Sequence, residues 1–391
     1  MSKINELYTR LATFSVFNGI FMKTIFKKFR EYAREKDKDE KIKKYGEFVN
    51  NLYTHGADLT AYIRRIAFED ANVYVKAISA KKQVNKNIEE AVKYELNTLS
   101  EFAALTKLDF AKDMDYEGFL PSFDSTEIDL NVEYQTRLKS IEKYGYGIFT
   151  ANCMFSVTDT GSVVPVATAD DTTVDSFIGY EEERKKVINN TLSFLQGKSA
   201  SNILLYGDAG TGKSSTVKAV ANYFFDQGLR LVEIRKNQLL LLPKVMAEIS
   251  KNPLKFIIFI DDLSFNQNDD NFSMLKATLE GSASAKAKNA VIYATSNRRH
   301  IVKESFGERE GGDIHRNDTV QETLSLSERF GLTIRFAKPE KKLYLEIVHE
   351  LANRHGVTMD KNELDIKAEA FALNRGYRSA RCAEQFIDSL L

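Results

Sequence analysis

Residues 207–214 read Gly-Asp-Ala-Gly-Thr-Gly-Lys-Ser and fit the pattern G-x-x-x-x-G-K-S/T at every position. An apolar run, ILLY, precedes this segment, and STVKAVANYF follows it with apolar residues at helical spacing. The order predicts a strand, a glycine-rich loop and a helix. In such a loop the backbone N–H groups and the positive helix end bind phosphate. The predicted phosphate-binding residues are Gly207, Asp208, Ala209, Gly210, Thr211, Gly212, Lys213, Ser214 and Ser215.

Two loop side chains and an acid pair predict further chemistry. Lys213 is expected to neutralise phosphate oxygens, and the Ser214 hydroxyl is expected to bind Mg²⁺. A second apolar run, FIIFI, ends in Asp261 and Asp262. Acids at the end of a neighbouring strand would complete this site, so Asp261 is predicted to hold Mg²⁺ through water. Asp262 is predicted to orient or deprotonate an attacking water.

Short apolar strands alternate with helical segments after residue 200, which predicts an α/β fold with a parallel sheet flanked by helices. The predicted strands are Ile203–Tyr206, Leu229–Ile234, Lys255–Ile260, Ala290–Thr295 and Leu332–Phe336. The predicted helices are Ser214–Phe225, Leu240–Ile249 and Phe272–Leu279. Residues 304–322 hold almost no apolar residues and predict a loop.

Changes in composition and in hydrophobic pattern along the chain predict four segments. Residues 1–145 form a mainly helical N-terminal domain, because apolar residues recur there at helical spacing. Residues 146–175 form a β-rich connector with a hairpin turn at Asp159–Gly161. Residues 176–337 form the domain that carries the glycine-rich phosphate-binding loop, called the P-loop. Residues 338–391 form a helical lid.

Composition excludes several classes of protein. Lys and Arg total 55 and Asp and Glu total 55, so net charge gives no support for a nucleic-acid binder. Residues 23–44 hold ten basic and five acidic residues, which fits either a phosphate-binding patch or a solvated helix face. Cys153 and Cys382 are too few for a disulfide framework. No apolar run reaches the roughly 20 residues of a membrane span, and a cytoplasmic protein is expected.

Three polar residues separate the classes of phosphate-binding protein. Asn297 ends the strand VIYATS, Arg329 ends a short helix in LSERF, and Arg378 begins a helix in GYRSAR. A small-molecule kinase or a GTPase would share the loop and the acid pair. No Asn-Lys-x-Asp follows the loop, so guanine specificity has no support.

In order and approximate spacing, these features resemble the AAA+ ATPases over residues 176–391. The resemblance implies ATP and Mg²⁺ as ligands and Asn297 as the residue that positions the lytic water. It implies that Arg329 is an arginine finger for the neighbouring subunit's nucleotide. It also implies that a lid arginine reaches the γ-phosphate, and Arg378 is the first candidate while Arg381 competes with it.

The same resemblance implies an adenine pocket and an assembly. The segment Ser176–Tyr180, with Ile178 and Gly179, is similar to the one that lines the adenine pocket. A homo-oligomer is implied, as a hexameric ring or an open ring. Two departures bear on activity. Asp262 stands in place of the usual glutamate, which favours slow hydrolysis. Residues 235–238 carry no aromatic residue where protein-threading members place a pore loop.

A closer resemblance covers residues 145–391. The segments FIGYEEERKKVINNT, FIIFIDDLSF, YATSNRRH and SLSERFGL are similar to an uncharacterised bacterial family of ATP-binding AAA+ proteins, known only as a domain of unknown function. This resemblance implies ATP binding and names no cellular role.

Three hypotheses of function follow. The leading one is an ATP-hydrolysing protein that remodels an unknown protein partner. The second is a nucleic-acid-directed loader or helicase accessory, supported only by Arg298, Arg299 and His300 and by residues 23–44. The third is a slow ATP-gated scaffold that binds ATP and hardly turns it over.

Overall fold

A computed structural model describes residues 2–168, 170–264, 270–280, 287–297 and 329–391. Its contacts divide the chain into two units, Met1–Ala151 with Lys251–Pro253 and Asn152–Ser250 with Leu254–Leu391. Within the described ranges, no helix is both long enough and apolar enough to cross a membrane. The predicted loop 304–322 and the basic residues 298–300 lie outside the described residues.

The first unit is built from helices, which confirms the helical prediction for the N-terminal region. Several helices begin at a side chain that accepts a backbone N–H group, such as Asp37, Asp58 and Thr106. Their apolar faces bury an aromatic core in which the rings of Phe29 and Phe102 meet edge to face at 4.7 Å. The helices are Lys3–Leu11, Thr24–Arg34, Lys38–Tyr53, Leu59–Glu69, Val73–Ser79, Lys86–Ala103, Lys107–Met114, Leu130–Leu138 and Ile141–Tyr144.

Acidic partners offset much of the basic stretch 23–44. Lys28 pairs with Glu47 at 2.7 Å, and Lys44 pairs with Glu35. Lys41 pairs with Asp113 at 2.7 Å, and Asp113 lies in the acid-rich stretch 109–133. The two charge-biased segments therefore neutralise each other in part, which favours the solvated-face interpretation over a phosphate-binding patch.

The second unit contains a seven-stranded sheet in the order β2-β1-β4-β5-β6-β3-β7. Among the described strands, β2 alone runs antiparallel to its neighbour, so the predicted parallel sheet is confirmed. The strands are β1 Met154–Val157, β2 Val163–Pro165, β3 Ile203–Gly207, β4 Leu229–Glu233, β5 Lys255–Ile260, β6 Ala290–Ser296 and β7 Leu332–Phe336.

The hairpin expected in a connector extends this sheet. Met154 and Phe155 of β1 pair with Leu231 and Val232 of β4. Phe155 is fully buried, so apolar burial together with the strand pairing holds the hairpin at the sheet edge.

Helices flank the sheet and continue beyond it. After β7, three helices share their own core of apolar side chains, including Tyr344, Val348 and Phe386. The described helices of this unit are Glu181–Leu195, Lys213–Tyr223, Leu242–Ile249, Asp270–Glu280, Lys341–Arg354, Lys361–Arg375 and Ala380–Asp388.

The order of the central strands positions the candidate site. β5, β6 and β3 are parallel neighbours, so their carboxyl ends meet at one edge of the sheet. The acid pair follows β5, Asn297 follows β6, and the glycine-rich loop follows β3. A crevice at this edge is where open α/β sheets bind their ligands.

Candidate functional site

The loop after β3 depends on glycine for its shape. Gly207 has a φ of +137°, and a Cβ atom there would lie 2.0 Å from the carbonyl oxygen of Phe336. Gly212, with a φ of +84°, leads directly into the helix Lys213–Tyr223. The first N–H groups of that helix are therefore presented beside the loop, as phosphate binding requires.

Hydrogen bonds fix the loop from both sides. The Thr211 hydroxyl donates to the carbonyl oxygen of Asp208 at 2.9 Å. The backbone N–H of Lys338 donates to Asp208 Oδ2 at 2.9 Å, which ties the loop to the chain entering the lid helices. The loop is thus held in shape by its own side chains and by the segment after β7.

Lys213 connects the loop to Asn297. Its Nζ atom donates to the carbonyl oxygens of Gly207 at 2.9 Å and Asp208 at 2.6 Å, and to Asn297 Oδ1 at 3.3 Å. Burial lowers the pKa of Lys213, and the nearby carboxylates, among them Asp261, oppose that shift. A cation is therefore held where the loop and the end of β6 meet.

Ser214 and Asp261 meet as the sequence predicts. Ser214 Oγ donates to Asp261 Oδ1 at 2.6 Å. Among the described residues, no group of three or more His, Cys, Asp or Glu side chains could hold a metal ion. One carboxylate and one hydroxyl fit Mg²⁺, because this ion usually takes one or two protein carboxylates plus substrate phosphates and water.

Asp262 adopts an unusual backbone conformation. Its φ is +50°, in the left-handed region that few residues other than glycine, asparagine and aspartate enter. Its backbone N–H donates to Asp261 Oδ1 at 3.1 Å and to Thr295 Oγ1 at 3.0 Å. Its carboxylate accepts a hydrogen bond from Asn297 Nδ2 at 2.9 Å. The structure thus brings the acid pair, Asn297 and Lys213 together.

A pocket with both apolar and polar walls lies beside the helix Lys213–Tyr223. Its apolar walls include Phe177, Ile178, Ile347 and Leu351, and the charged side chains of Arg184 and Glu384 also line it. Thr216 also lines it, and the Thr216 hydroxyl oxygen is buried with no hydrogen-bond partner among the described residues. Apolar walls beside polar groups, one of them unsatisfied, are compatible with a heteroaromatic base that carries polar edges.

Gly179 follows Ile178 of this pocket, and its predicted adenine-binding role stays a prediction. Its φ is +71°, and a Cβ atom there would lie 2.5 Å from Leu343 Cδ1. Glycine therefore allows the segment before Tyr180 to pass close to the first lid helix.

The structure does not bring Arg378 to the loop. Glu369 accepts two hydrogen bonds from the Arg378 guanidinium, at 2.9 and 2.7 Å, which holds that side chain within the lid. Arg381 lies closer, because its backbone N–H donates to the Gly210 carbonyl at 3.4 Å. Its charge also contributes to the lowered pKa of Lys213. This geometry favours the competitor, Arg381, over Arg378 as the lid arginine, and that assignment stays a prediction.

Arg329 contacts its own subunit. Its Nη2 atom lies 2.5 Å from Glu280 Oε1, at the end of the helix Asp270–Glu280. The residues before Arg329 lie outside the described ranges, so the predicted short helix is described only at its last position. Its role in a neighbouring subunit stays a prediction.

Sequence reasoning missed two buried threonines. Thr295 Oγ1 donates to Asp261 Oδ1 at 2.5 Å, and Thr216 faces the pocket beside its own helix. A signal existed for Thr295, since it lies two residues before Asn297 and alternation along a strand places both on one face. No comparable pattern marks Thr216, because threonine is common on helix surfaces.

The comparisons with known proteins bear on the same region. A family profile described as "Protein of unknown function (DUF815)" matches residues 150–391. No curated protein matches the chain. The RuvB Holliday junction branch migration motor of Thermotoga maritima aligns with a TM-score of 0.34 and 13% sequence identity, over 56% of this chain and 71% of that chain. A variant of the same RuvB gives 0.35 and 15% over the same shares.

The profile match confirms the expected resemblance to a family known only as a domain of unknown function. The match spans more than half of the chain, so the chain belongs to the DUF815 family of proteins of unknown function.

Proposed function

We propose that this chain binds ATP with Mg²⁺ at the carboxyl edge of its sheet and hydrolyses it slowly. One observation carries the proposal: a single hydrogen-bonded network joins Lys213, Asn297 and Asp262, and the neighbouring pair Ser214–Asp261 adjoins it. A structural loop would not need a buried cation, a metal-binding pair and a water-activating acid together.

Each residue has a distinct part in the proposed reaction. The loop N–H groups and Lys213 offset the negative charge of the phosphates. Ser214 and Asp261 would hold Mg²⁺, which supplies charge neutralisation at the phosphate oxygens. The Asp262 carboxylate orients a water molecule and accepts its proton, and Asn297 holds that carboxylate in place.

Slow turnover follows from the geometry of Asp262. Its carboxylate is one methylene shorter than that of a glutamate, and it is hydrogen-bonded to Asn297. Asn297 engages Oδ1 and leaves Oδ2 to polarise water, from a side chain with less reach than that of a glutamate. The partly apolar pocket supports adenine as the base, with Thr216 available to its polar edge.

Three wider roles are compatible with an ATP-binding site of this kind. We favour a ring-forming protein, hexameric or open, that remodels a protein partner, since the order of the loop, the acid pair, Asn297 and Arg329 resembles that of ring-forming AAA+ ATPases. Arg329 pairs with Glu280 of its own subunit and would have to leave it to serve a neighbour. A nucleic-acid-directed loader has weaker support, because residues 23–44 are partly neutralised by Glu47, Asp113 and other acids. A slow ATP-gated scaffold is favoured by the shorter acid at position 262.

Phosphate release by the wild-type chain and Asp262→Asn tests the hydrolysis. The amide keeps the shape but accepts no proton, so turnover should fall by about 10²-fold or more while ATP affinity stays unchanged. Asp226→Asn is the matched control, because Asp226 is an exposed acid in the same unit. Equal turnover in Asp262→Asn and the wild type would contradict the assigned base.

A further inference from the structure

Thr295 contacts both members of the acid pair. It lies in β6 and is 2% exposed. Its hydroxyl donates to Asp261 Oδ1 at 2.5 Å and accepts the backbone N–H of Asp262 at 3.0 Å. The Thr295 hydroxyl is therefore a donor to the carboxylate of Asp261 and an acceptor for the backbone of Asp262.

The surrounding backbone makes this contact specific. β5 and β6 are paired up to Ile260 and Ala294, so Thr295 lies opposite the point where β5 ends. The N–H of Leu263 donates to the Thr295 carbonyl at 2.7 Å, and the Ser296 hydroxyl donates to the Leu263 carbonyl at 2.8 Å. The end of β6 thus binds the chain on the far side of Asp262 as well.

These bonds bear on the strained residue between them. Asp262 has a φ of +50°, a conformation that aspartate tolerates better than most residues but that still costs free energy, which the surrounding bonds offset. Thr295 binds the N–H at the start of this turn, and the turn directs the carboxylate to Asn297. On Asp261, three donors converge on Oδ1: Ser214 Oγ, Thr295 Oγ1 and the Asp262 N–H.

We propose that Thr295 is a positioning residue for both acids, and this role rests on the function proposed above. It fixes the Asp261 carboxylate against Ser214 for Mg²⁺, and it holds Asp262 in the conformation that meets Asn297. Without the hydroxyl, Asp261 Oδ1 loses one of its three donors and the Asp262 N–H loses one of its two acceptors. Groups that orient metal ligands in this way typically affect metal affinity or activity by about 10–100-fold.

The test compares four full-length variants with the wild type. Thr295→Val keeps the shape and removes the hydroxyl, Thr295→Ser restores it, and Thr295→Ala removes it without a branched side chain. Thr191→Val is the matched control, since Thr191 is fully buried and its hydroxyl bonds Val187 and Tyr293, the latter also in β6. ATP affinity is measured in EDTA and across a Mg²⁺ titration, and phosphate release gives kcat and KM.

In Thr295→Val, ATP affinity in EDTA should stay within about twofold of wild type, because the loop and Lys213 are untouched. The gain in affinity that Mg²⁺ provides should shrink by about tenfold, and kcat should fall by about 10–100-fold. Thr295→Ser should recover both to within about threefold. Thr191→Val should keep the wild-type Mg²⁺ response.

Two results would overturn the role. One is a wild-type Mg²⁺ response and kcat in Thr295→Val, or in Thr295→Ala if the valine variant fails to fold. The other is a loss of Mg²⁺ response and kcat in Thr295→Ser or Thr191→Val as large as that in Thr295→Val. That result would mean that Thr295 acts through packing alone. A wild-type chain whose ATP binding ignores Mg²⁺ would instead overturn the proposed function and, with it, this role.

Discussion

Asp262 shows how one residue shapes the chemistry of the site. Aspartate tolerates a positive φ better than glutamate does, because its short polar side chain can hydrogen-bond locally. At a φ of +50° its carboxylate reaches Asn297 at 2.9 Å. The shorter acid is therefore compatible with the backbone turn that follows β5, and its presence does not by itself indicate a lost activity.

At the same scale, Arg381→Ala and Arg378→Ala should behave differently. Arg381 lies against the loop at Gly210, so its loss should weaken ATP binding or turnover by about tenfold or more. Arg378 binds Glu369, so its loss should leave ATP affinity within about twofold and lower the Tm by no more than about 4 °C. ATP titration and thermal melting check both. A larger ATP defect in Arg378→Ala would restore Arg378 as the lid residue.

At the scale of secondary-structure elements, the local sequence pattern predicted where strands begin and end but not which strands pair in the sheet. Lys255–Ile260 and Leu332–Phe336 match β5 and β7 end to end. The first is an almost wholly apolar run, and the second alternates apolar and polar residues, which are two sequence signals of a strand. The pairing of β1 with β4 was not predicted, since nothing local encodes a partner that lies far along the chain. The choice between Arg378 and Arg381 stayed open for the same reason, because it depends on the tertiary partner Glu369.

The junction between β3 and the loop provides a prediction at this scale. Gly207→Ala should cost about 3 kcal/mol or more and weaken ATP binding, because the added Cβ meets the Phe336 carbonyl oxygen at 2.0 Å. Gly197→Ala is the control, since Gly197 also has a positive φ, of +71°, but open space around it. That control should cost only about 1–2 kcal/mol and leave ATP binding intact. Urea unfolding and ATP titration measure both, and equal costs would contradict the steric explanation.

For the whole molecule, the prediction concerns assembly. Arg329→Ala should bind ATP normally and hydrolyse it poorly if the residue acts on a neighbouring subunit's nucleotide, where such a finger is worth roughly 10³–10⁵ in rate. A one-to-one mixture with Asp262→Asn should regain activity, since about a quarter of random interfaces join an intact finger to an intact site. Phosphate release against mixing ratio, with sedimentation to report assembly, is the measurement. Wild-type protein that stays monomeric while hydrolysing ATP at a concentration-independent rate would contradict it.

The most direct test of the central claim is an equilibrium ATP titration of wild type, Lys213→Ala and Lys218→Ala. Lys213 is the buried cation of the loop, whereas Lys218 lies on the same helix and pairs with Glu233 at 3.7 Å. ATP affinity should fall by at least about 30-fold in Lys213→Ala and stay within about threefold in Lys218→Ala. Equal affinity of Lys213→Ala and the wild type would contradict a nucleotide site at this loop.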